Sequence, residues 1–386
     1  MIADIIKEEE KRQESVINLI ASENYPSPQV LEAIASPFIS KYAEGYPGQR
    51  YYGGNSVADK LESYVQYLAQ TLFSTDYHVN VQPYSGSVAN LAVYFGLIFP
   101  GDKIMGLELS SGGHLTHGHK VSMSGTFYTQ VPYSVSHRTQ RLDYEEMRRI
   151  AREHMPQIII SGYTAYSRTI DFKKISDIAH EVGALHMADI SHISGMVASD
   201  LHPTPFGNAD VVMTTTHKML RGPRGAMIFC RPDLAKKIDR AVFPGIQGGP
   251  HLNTIAGIGV CLEEASKKSY HIYVEQVVKN AMAFADELSK NGLDVITGGT
   301  DNHLMLVDVS KLGLTGQEAQ DKLEANGIIV NRNAIPFDEA PPLNPSGIRL
   351  GTTPMTTKGY REMNFRNVAK LIAKILKTTP NHNSTS

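Results

Sequence analysis

The sequence predicts an α/β protein: a large domain with a mostly parallel central sheet, followed by a smaller C-terminal α+β domain. Three observations lead there. From residue 57 onward, helix-period segments alternate with short apolar, strand-like runs. After a stretch of long helices, a second alternation of strands and helices begins near residue 293. The length of 386 residues is enough for two or three domains with a large buried core.

Taken in order, the first twenty residues read as a helix of mixed charge, followed by the loop LIASENYPSP at 19–28. Residues 41–54, KYAEGYPGQRYYGG, are too rich in Gly and Tyr for a regular helix or strand, and an irregular segment of that length is usually functional. Val57–Phe73 then reads as a helix, Val79–Val81 as a short strand, Ser87–Phe99 as a helix and Lys103–Leu109 as a strand. Met147–His154 is helical, Gln157–Ser161 a strand and Lys174–Val182 a helix. The apolar runs Ala184–Ala188, Ala209–Met213 and Ala226–Cys230 are strands. Long helices cover Ile255 to Asn291. Leu293–Ile296, Leu304–Val309, Gly316–Asn326 and Ile328–Val330 alternate strand and helix, and Tyr360–Lys377 closes the chain as a helix. The expected division is an N-terminal helix and arm at 1–50, a large domain at 51–270, a small domain at 271–378 and a polar, disordered tail at 379–386.

Composition narrows the function. Hydrophobic residues make up 41% and charged residues 20%, as in an ordinary globular protein. A formal net charge of −2 argues against a nucleic-acid surface. The longest apolar stretch, Leu91–Phe99, is too short to span a bilayer, and the charged N-terminus lacks the apolar centre of a signal peptide. Cys230 and Cys261 have no CxxC spacing, which suits a reducing cytosol, so a cytoplasmic location is expected.

The chemistry centres on TTTHKMLRGPRG at 214–225. Lys218 follows a buried-strand pattern, where a lysine is costly unless paired or chemically used. The earlier run Ala184–Ala188 ends at Asp189. A lysine that forms a Schiff base and an aspartate that pairs with a protonated pyridine nitrogen fit a pyridoxal-phosphate (PLP) site. Taken singly, each has an ordinary reading, as a snorkelling strand-end lysine and a turn aspartate. Other pieces fit the same cofactor. SGSVAN at 85–90 opens a helix with a Ser-Gly-Ser turn suited to a phosphate, or to a plain N-cap. GGHLTHG at 112–118 offers His114 as a ring that stacks on the cofactor. Its His-x-x-His pair lacks a third ligand at metal spacing, so no metal is expected. His192 follows Asp189 closely. Arg349, in SGIRLGTT, has the planar fork that suits an α-carboxylate. Glu44, flanked by Tyr42, Tyr51 and Tyr52, is a candidate acid/base group, and FPGIQGGP at 243–250 is a second glycine-rich loop.

Together these strings resemble the serine hydroxymethyltransferase family, PLP enzymes of the aspartate-aminotransferase (fold type I) class. LIASENY, KYAEGYPG with RYYGG, GGHLTHG, THK with GPRG, FPG with QGGP, TGGTDNHL and SGIR carry the resemblance over nearly the whole chain. It implies reversible transfer of the hydroxymethyl group of L-serine to tetrahydrofolate, giving glycine and 5,10-methylenetetrahydrofolate, through a Lys218 Schiff base and a quinonoid intermediate. It implies that Asp189 pairs with the pyridine nitrogen and His114 stacks on the ring. Ser85, Gly86 and Ser87 would hold the phosphate with Gly249 and Tyr42 from a partner subunit. Thr164, His192, Thr215 and His217 would surround the cofactor. Arg349, with Ser22 nearby, would bind the amino-acid carboxylate, and Glu44 with Tyr52 would serve the hydroxymethyl group across a homodimer interface. Leu109, Gly113, Leu115 and Asn333 would contact folate. Whether dimers pair into tetramers is left open.

The chain departs from the family's usual pattern at Tyr84 and Val88 (usually His and Gln), at Ser111 (His), at Thr164 (Ser) and at Met219 (Thr). Two alternatives stand beside the main reading. One is a folate-independent β-hydroxy-amino-acid aldolase, or an α-methylserine hydroxymethyltransferase, on the same scaffold. The other is a non-catalytic regulatory protein, which predicts decay at Lys218, Asp189, Glu44 or Arg349; all four are present.

Overall fold

A seven-stranded sheet organises the larger body of the computed structural model, which describes residues 1–378. Its strands are β1 (His78–Asn80), β2 (Lys103–Leu107), β3 (Thr129–Tyr133), β4 (Ile158–Ser161), β5 (Leu185–Asp189), β6 (Val211–Thr215) and β7 (Ala226–Cys230). Their spatial order is β1-β7-β6-β5-β4-β2-β3. Strands β2 to β6 are parallel, while β7 runs antiparallel to both β6 and β1. The inner strands are continuous apolar runs, as parallel strands covered on both faces must be. Alternate side chains leave on opposite faces. Ile158, Ile160, Met187, Val211 and Met213 pack in one core with helix Gly86–Leu97. Ile159, Ala188 and Val212 pack in another with helices Ser56–Leu72 and Leu252–Ala265.

A second, antiparallel sheet contains β8 (Asp294–Val295), β9 (Leu304–Asp308), β10 (Asn331–Asn333) and β11 (Gly347–Gly351), ordered β8-β9-β11-β10. Helices Lys268–Lys290 and Glu362–Lys377 cover it. The first of these bridges the two bodies: Tyr270, Val274 and Val277 sit in the larger core, whereas Ala281, Phe284 and Leu288 sit in the smaller. This is the mostly parallel α/β architecture of fold type I.

Several elements differ from the sequence expectation. The first helix stops at Ser15, because Ile17–Asn18 pair in parallel with Ile328–Ile329 and Leu19 is buried in the smaller core. The 41–54 segment holds a small hairpin, Gly45–Tyr46 with Gln49–Arg50. It is held from beneath by buried Arg50, which donates to Glu62 (2.6 Å), Asp59 (2.8 Å) and the carbonyls of Ala43 and Gly45. Two strands carried too little pattern to be seen. β3 contains Pro132 and is tolerated because it is an edge strand, and β11 is interrupted by polar Arg349. The strand before Lys218 ends at Thr215, three residues earlier. The tail at 379–386 lies outside the described residues.

Candidate active site

In open α/β sheets ligands sit beyond the carboxyl ends of the strands, and the candidate residues gather there. The segment after β2 carries Leu109 to His117, the one after β4 carries Thr164, β5 ends at Asp189 and β6 at Thr215. A cavity of about 340 Å³ opens at this end. Its lining includes the predicted cofactor lysine and acid (Lys218, Asp189), the phosphate turn (Ser85, Gly86, Ser87) and the flanking groups His114, Thr164, His192, Thr215 and His217. Ser22 and Arg349 complete the lining from the N-terminal loop and from β11.

Asp189 is buried and receives three hydrogen bonds: His117 Nε2 and Asn90 Nδ2 at 3.2 Å each on one oxygen, and the Ser191 N–H at 3.1 Å on the other. Burial alone would raise its pKa. The His117 hydrogen bond and the nearby positive charge of Lys218 outweigh it, so the carboxyl lies well below the usual range and stays ionised. Gly162 makes this packing possible: its φ is +91°, and a Cβ there would stand 1.8 Å from the Asp189 carbonyl oxygen.

Lys218 has no side-chain partner among the described residues, and burial brings its pKa down to about 8. Burial likewise brings His217 down to about 3 and His114 to about 4. The His114 Nδ1 accepts from the Thr116 N–H at 3.2 Å, and the Thr116 hydroxyl, itself an acceptor from Asn90, lies 2.7 Å from it. The ring is therefore neutral, with its proton on Nε2. His192 is stacked on His303 at 5.4 Å, with Nδ1 3.3 Å from the His303 Nε2, and burial drives its pKa well down. Arg349 is 6% exposed and has no carboxylate partner among the described residues. It donates to the Thr164 carbonyl (2.9 Å), Asn331 Oδ1 (3.1 Å) and Ser22 Oγ (3.5 Å), and burial brings its pKa to about 10.

The cavity fits PLP. Thr215 Oγ1, His217 Nδ1, Asn90 Oδ1 and His117 Nδ1 are buried polar atoms with no partner among the described residues. Gly86 lies against Thr215, where a Cβ would meet Cγ2 at 2.6 Å, at the start of a twelve-residue helix whose Ser85 side chain caps Val88. An anion at that turn would meet free N–H groups and hydroxyls.

The remaining candidates fall into two other places. Leu109, Gly113 and Asn333 line an adjoining cavity of about 660 Å³, which shares Thr164 with the first. Leu115 lines neither cavity and is 43% exposed. Tyr42, Glu44, Tyr52 and Gly249 form a separate cluster. The two tyrosine rings are 5.1 Å apart, and a Cβ on Gly249 would stand 3.3 Å from the Tyr42 ring and 3.6 Å from Glu44. None of the four lines the Lys218 cavity. The sequence reading missed Asn90, the Asp189 contact of His117, and His303. Asn90 was findable, because it lies one helical turn after Gly86 on the same face. His303 was not, since only tertiary packing brings it to His192.

The comparisons agree with this geometry. A family model described as serine hydroxymethyltransferase matches residues 1–372. The protein named "Serine hydroxymethyltransferase" from Desulfotalea psychrophila (strain LSv54 / DSM 12343) is 51% identical over 375 residues, spanning 97% of this chain and 88% of that relative. With the fold, the lysine–aspartate cavity and a match along almost the whole length, the chain belongs to the serine hydroxymethyltransferase family.

Proposed function

We propose that the two cavities and the tyrosine-rich arm divide one reaction between them. The chain is a PLP-dependent hydroxymethyltransferase that interconverts L-serine plus tetrahydrofolate with glycine plus 5,10-methylenetetrahydrofolate. Bound PLP supplies a pyridinium ring that takes up the electron pair released as the serine Cα–Cβ bond breaks. Ionised Asp189 holds the proton on the ring nitrogen, supported by His117 and Asn90. Neutral His114 offers its flat face to the ring. The Ser85–Ser87 turn takes the phosphate. Lys218, with a pKa near 8, gives up its proton more readily than an ordinary lysine and is the attachment point. Thr215, His217, Thr164 and His192 bound the ring and exclude water.

The observation that carries the reading is Arg349: a buried cation without a carboxylate, in the same cavity as Lys218 and Asp189. It orients the amino-acid carboxylate, with Ser22 beside it. Folate occupies the adjoining cavity against Leu109, Gly113 and Asn333, with Leu115 at its outer edge. Glu44 and Tyr52 move the proton of the hydroxymethyl group, and Tyr42 and Gly249 reach the phosphate, from the partner subunit of a homodimer. Support comes from their clustering away from their own cavity and from the exposure of Tyr42 on the arm and of Tyr51 and Tyr52 just after it. In this reading, residues 1–50 form the arm, 51–270 the PLP domain and 271–378 the small domain. The protein works in the cytoplasm, where its two free, buried thiols stay reduced. No described helix is long and apolar enough to cross a membrane.

The test is an absorbance spectrum of the purified protein with PLP, then with glycine, then with glycine and tetrahydrofolate. A strong long-wavelength band that rises only when folate joins glycine is expected. A cofactor band with no folate response would leave the aldolase reading instead, and no cofactor band would refute both.

A further inference from the structure

We propose that Tyr84 is a positioning residue that ties the phosphate turn of one site to the loop that serves the site of the partner subunit. The proposal rests on the cross-dimer reading above. Tyr84 immediately precedes Ser85, which lines the Lys218 cavity, yet the Tyr84 side chain turns away from that cavity. Its ring stacks on His251, with centroids 4.1 Å apart and planes 7° from parallel. Its hydroxyl donates to the Gly249 carbonyl at 2.6 Å, and its backbone N–H donates to Gln247 Oε1 at 3.0 Å. Gln247 in turn donates to the Gln82 carbonyl at 2.9 Å. The 247–251 loop is thus joined to the chain just before the phosphate turn by one ring stack and three hydrogen bonds, and Tyr84 supplies three of these four contacts.

The loop needs this hold. Gly248 and Gly249 make no backbone hydrogen bond from their own N–H groups among the described residues, so two donors are free for an acceptor from outside the chain. Gly249 also packs against Tyr42 and Glu44, the other residues that the cross-dimer reading sends to the neighbouring site. A single hydroxyl, on Tyr84, fixes the peptide at Gly249. Two adjacent amides without an acceptor suit a phosphate oxygen, and the Glu44 carboxylate beside them, close to both glycines, is left to the substrate side. Tyr84 therefore sets the loop at a defined distance from its own Ser85–Ser87 turn. Two phosphates bound in the two sites of a dimer would share one rigid piece of chain.

The test uses Tyr84→Phe, which keeps the stacking ring and removes only the hydroxyl, in dual-tagged mixed dimers. Lys218→Ala on one chain leaves that chain's site without an imine, so PLP fixed by borohydride reduction reports the other site alone. With Tyr84→Phe and Lys218→Ala on the same chain, the reporting site receives its loop from the altered chain. Its PLP dissociation constant should rise about fivefold to tenfold, as expected for one lost hydrogen bond. With Tyr84→Phe on the chain that keeps Lys218, the reporting site receives a normal loop, and its affinity should match wild type. A defect in the second arrangement, in both, or in neither overturns the proposal. Gly249→Ala, run in the same two arrangements, separates the two ideas. If it weakens only its own chain's site, the cross-dimer reading fails. If it acts across the dimer while Tyr84→Phe does not, only the role of Tyr84 falls.

Discussion

Arg349→Met separates substrate binding from stability. The guanidinium has five donors, and the three hydrogen bonds to Thr164, Asn331 and Ser22 leave two unused. Arg349 lines the cavity and makes no ion pair among the described residues, which leaves donors for a bidentate substrate carboxylate. Removing one member of a buried, hydrogen-bonded charge pair costs about 2–5 kcal/mol. At about 1.4 kcal/mol per tenfold, the KM for serine and glycine should rise roughly 10²-fold or more. Stability should behave differently. Burial lowers the Arg349 pKa from 12.5 to about 10. The charged form is therefore disfavoured in the folded state at every pH below 10, by about 3 kcal/mol. Methionine relieves that penalty and loses three hydrogen bonds from a charged donor, worth about 1.5–3 kcal/mol each. The net change in unfolding free energy should be a loss of about 1–6 kcal/mol. Denaturant unfolding of the apoprotein, with and without saturating glycine, tests both halves. Glycine should stabilise wild type and not the variant. An unchanged KM would refute the assignment of the carboxylate site, and a loss of stability well beyond about 6 kcal/mol would refute the claim of an uncompensated cation.

Three further outcomes follow from the same geometry. Lys218 becomes neutral on raising the pH through about 8, so the rate at which apoprotein captures PLP should climb with a midpoint near that pH; a midpoint near 10 would refute the burial argument. Gly162→Ala places a Cβ 1.8 Å from the Asp189 carbonyl oxygen at a φ of +91°. The backbone must shift at a strain of about 1–3 kcal/mol, and PLP retention on dialysis should fall roughly tenfold; unchanged retention would show that Asp189 tolerates displacement. Asn333→Ala should raise the KM for tetrahydrofolate roughly tenfold and leave the serine KM and cofactor spectrum alone, whereas a matching rise for serine would move Asn333 out of the folate site.

The arrangement also explains why polar residues in this chain were harder to read than apolar ones. Asp189 was visible as the end of a strand. Asn90 and His117, which hold it, stand on a helix and in a loop that meet it only through the sheet order β4-β5-β6 and the packing of Gly86–Leu97 across it. Tyr84 was legible only as a departure from a family pattern, and its bond to Gly249 spans 165 residues. Arg349 comes from the smaller sheet and His303 from the bend just before its strand β9, and their place beside Thr164 and His192 depends on how the two bodies meet.

What the sequence alone determined was local and periodic. Runs such as Gln157–Ser161 and Ala209–Met213 declare buried strands because β-branched and apolar side chains must leave water on both faces, and the observed strands overlap them at Ile158–Ser161 and Val211–Thr215. The glycine-rich turns mark where the backbone approaches a ligand, and the lysine and aspartate name the cofactor. Tertiary structure decided what no window of sequence contains: the end of the first helix at Ser15, where pairing with Ile328–Ile329 and burial of Leu19 overrode helical periodicity, and the hairpin that buried Arg50 holds in an otherwise irregular arm. It also decided the gathering of side chains from seven segments into one cavity and the separation of Glu44 from it. Propensity acts over a few residues, whereas burial and hydrogen-bond satisfaction are settled between residues hundreds of positions apart.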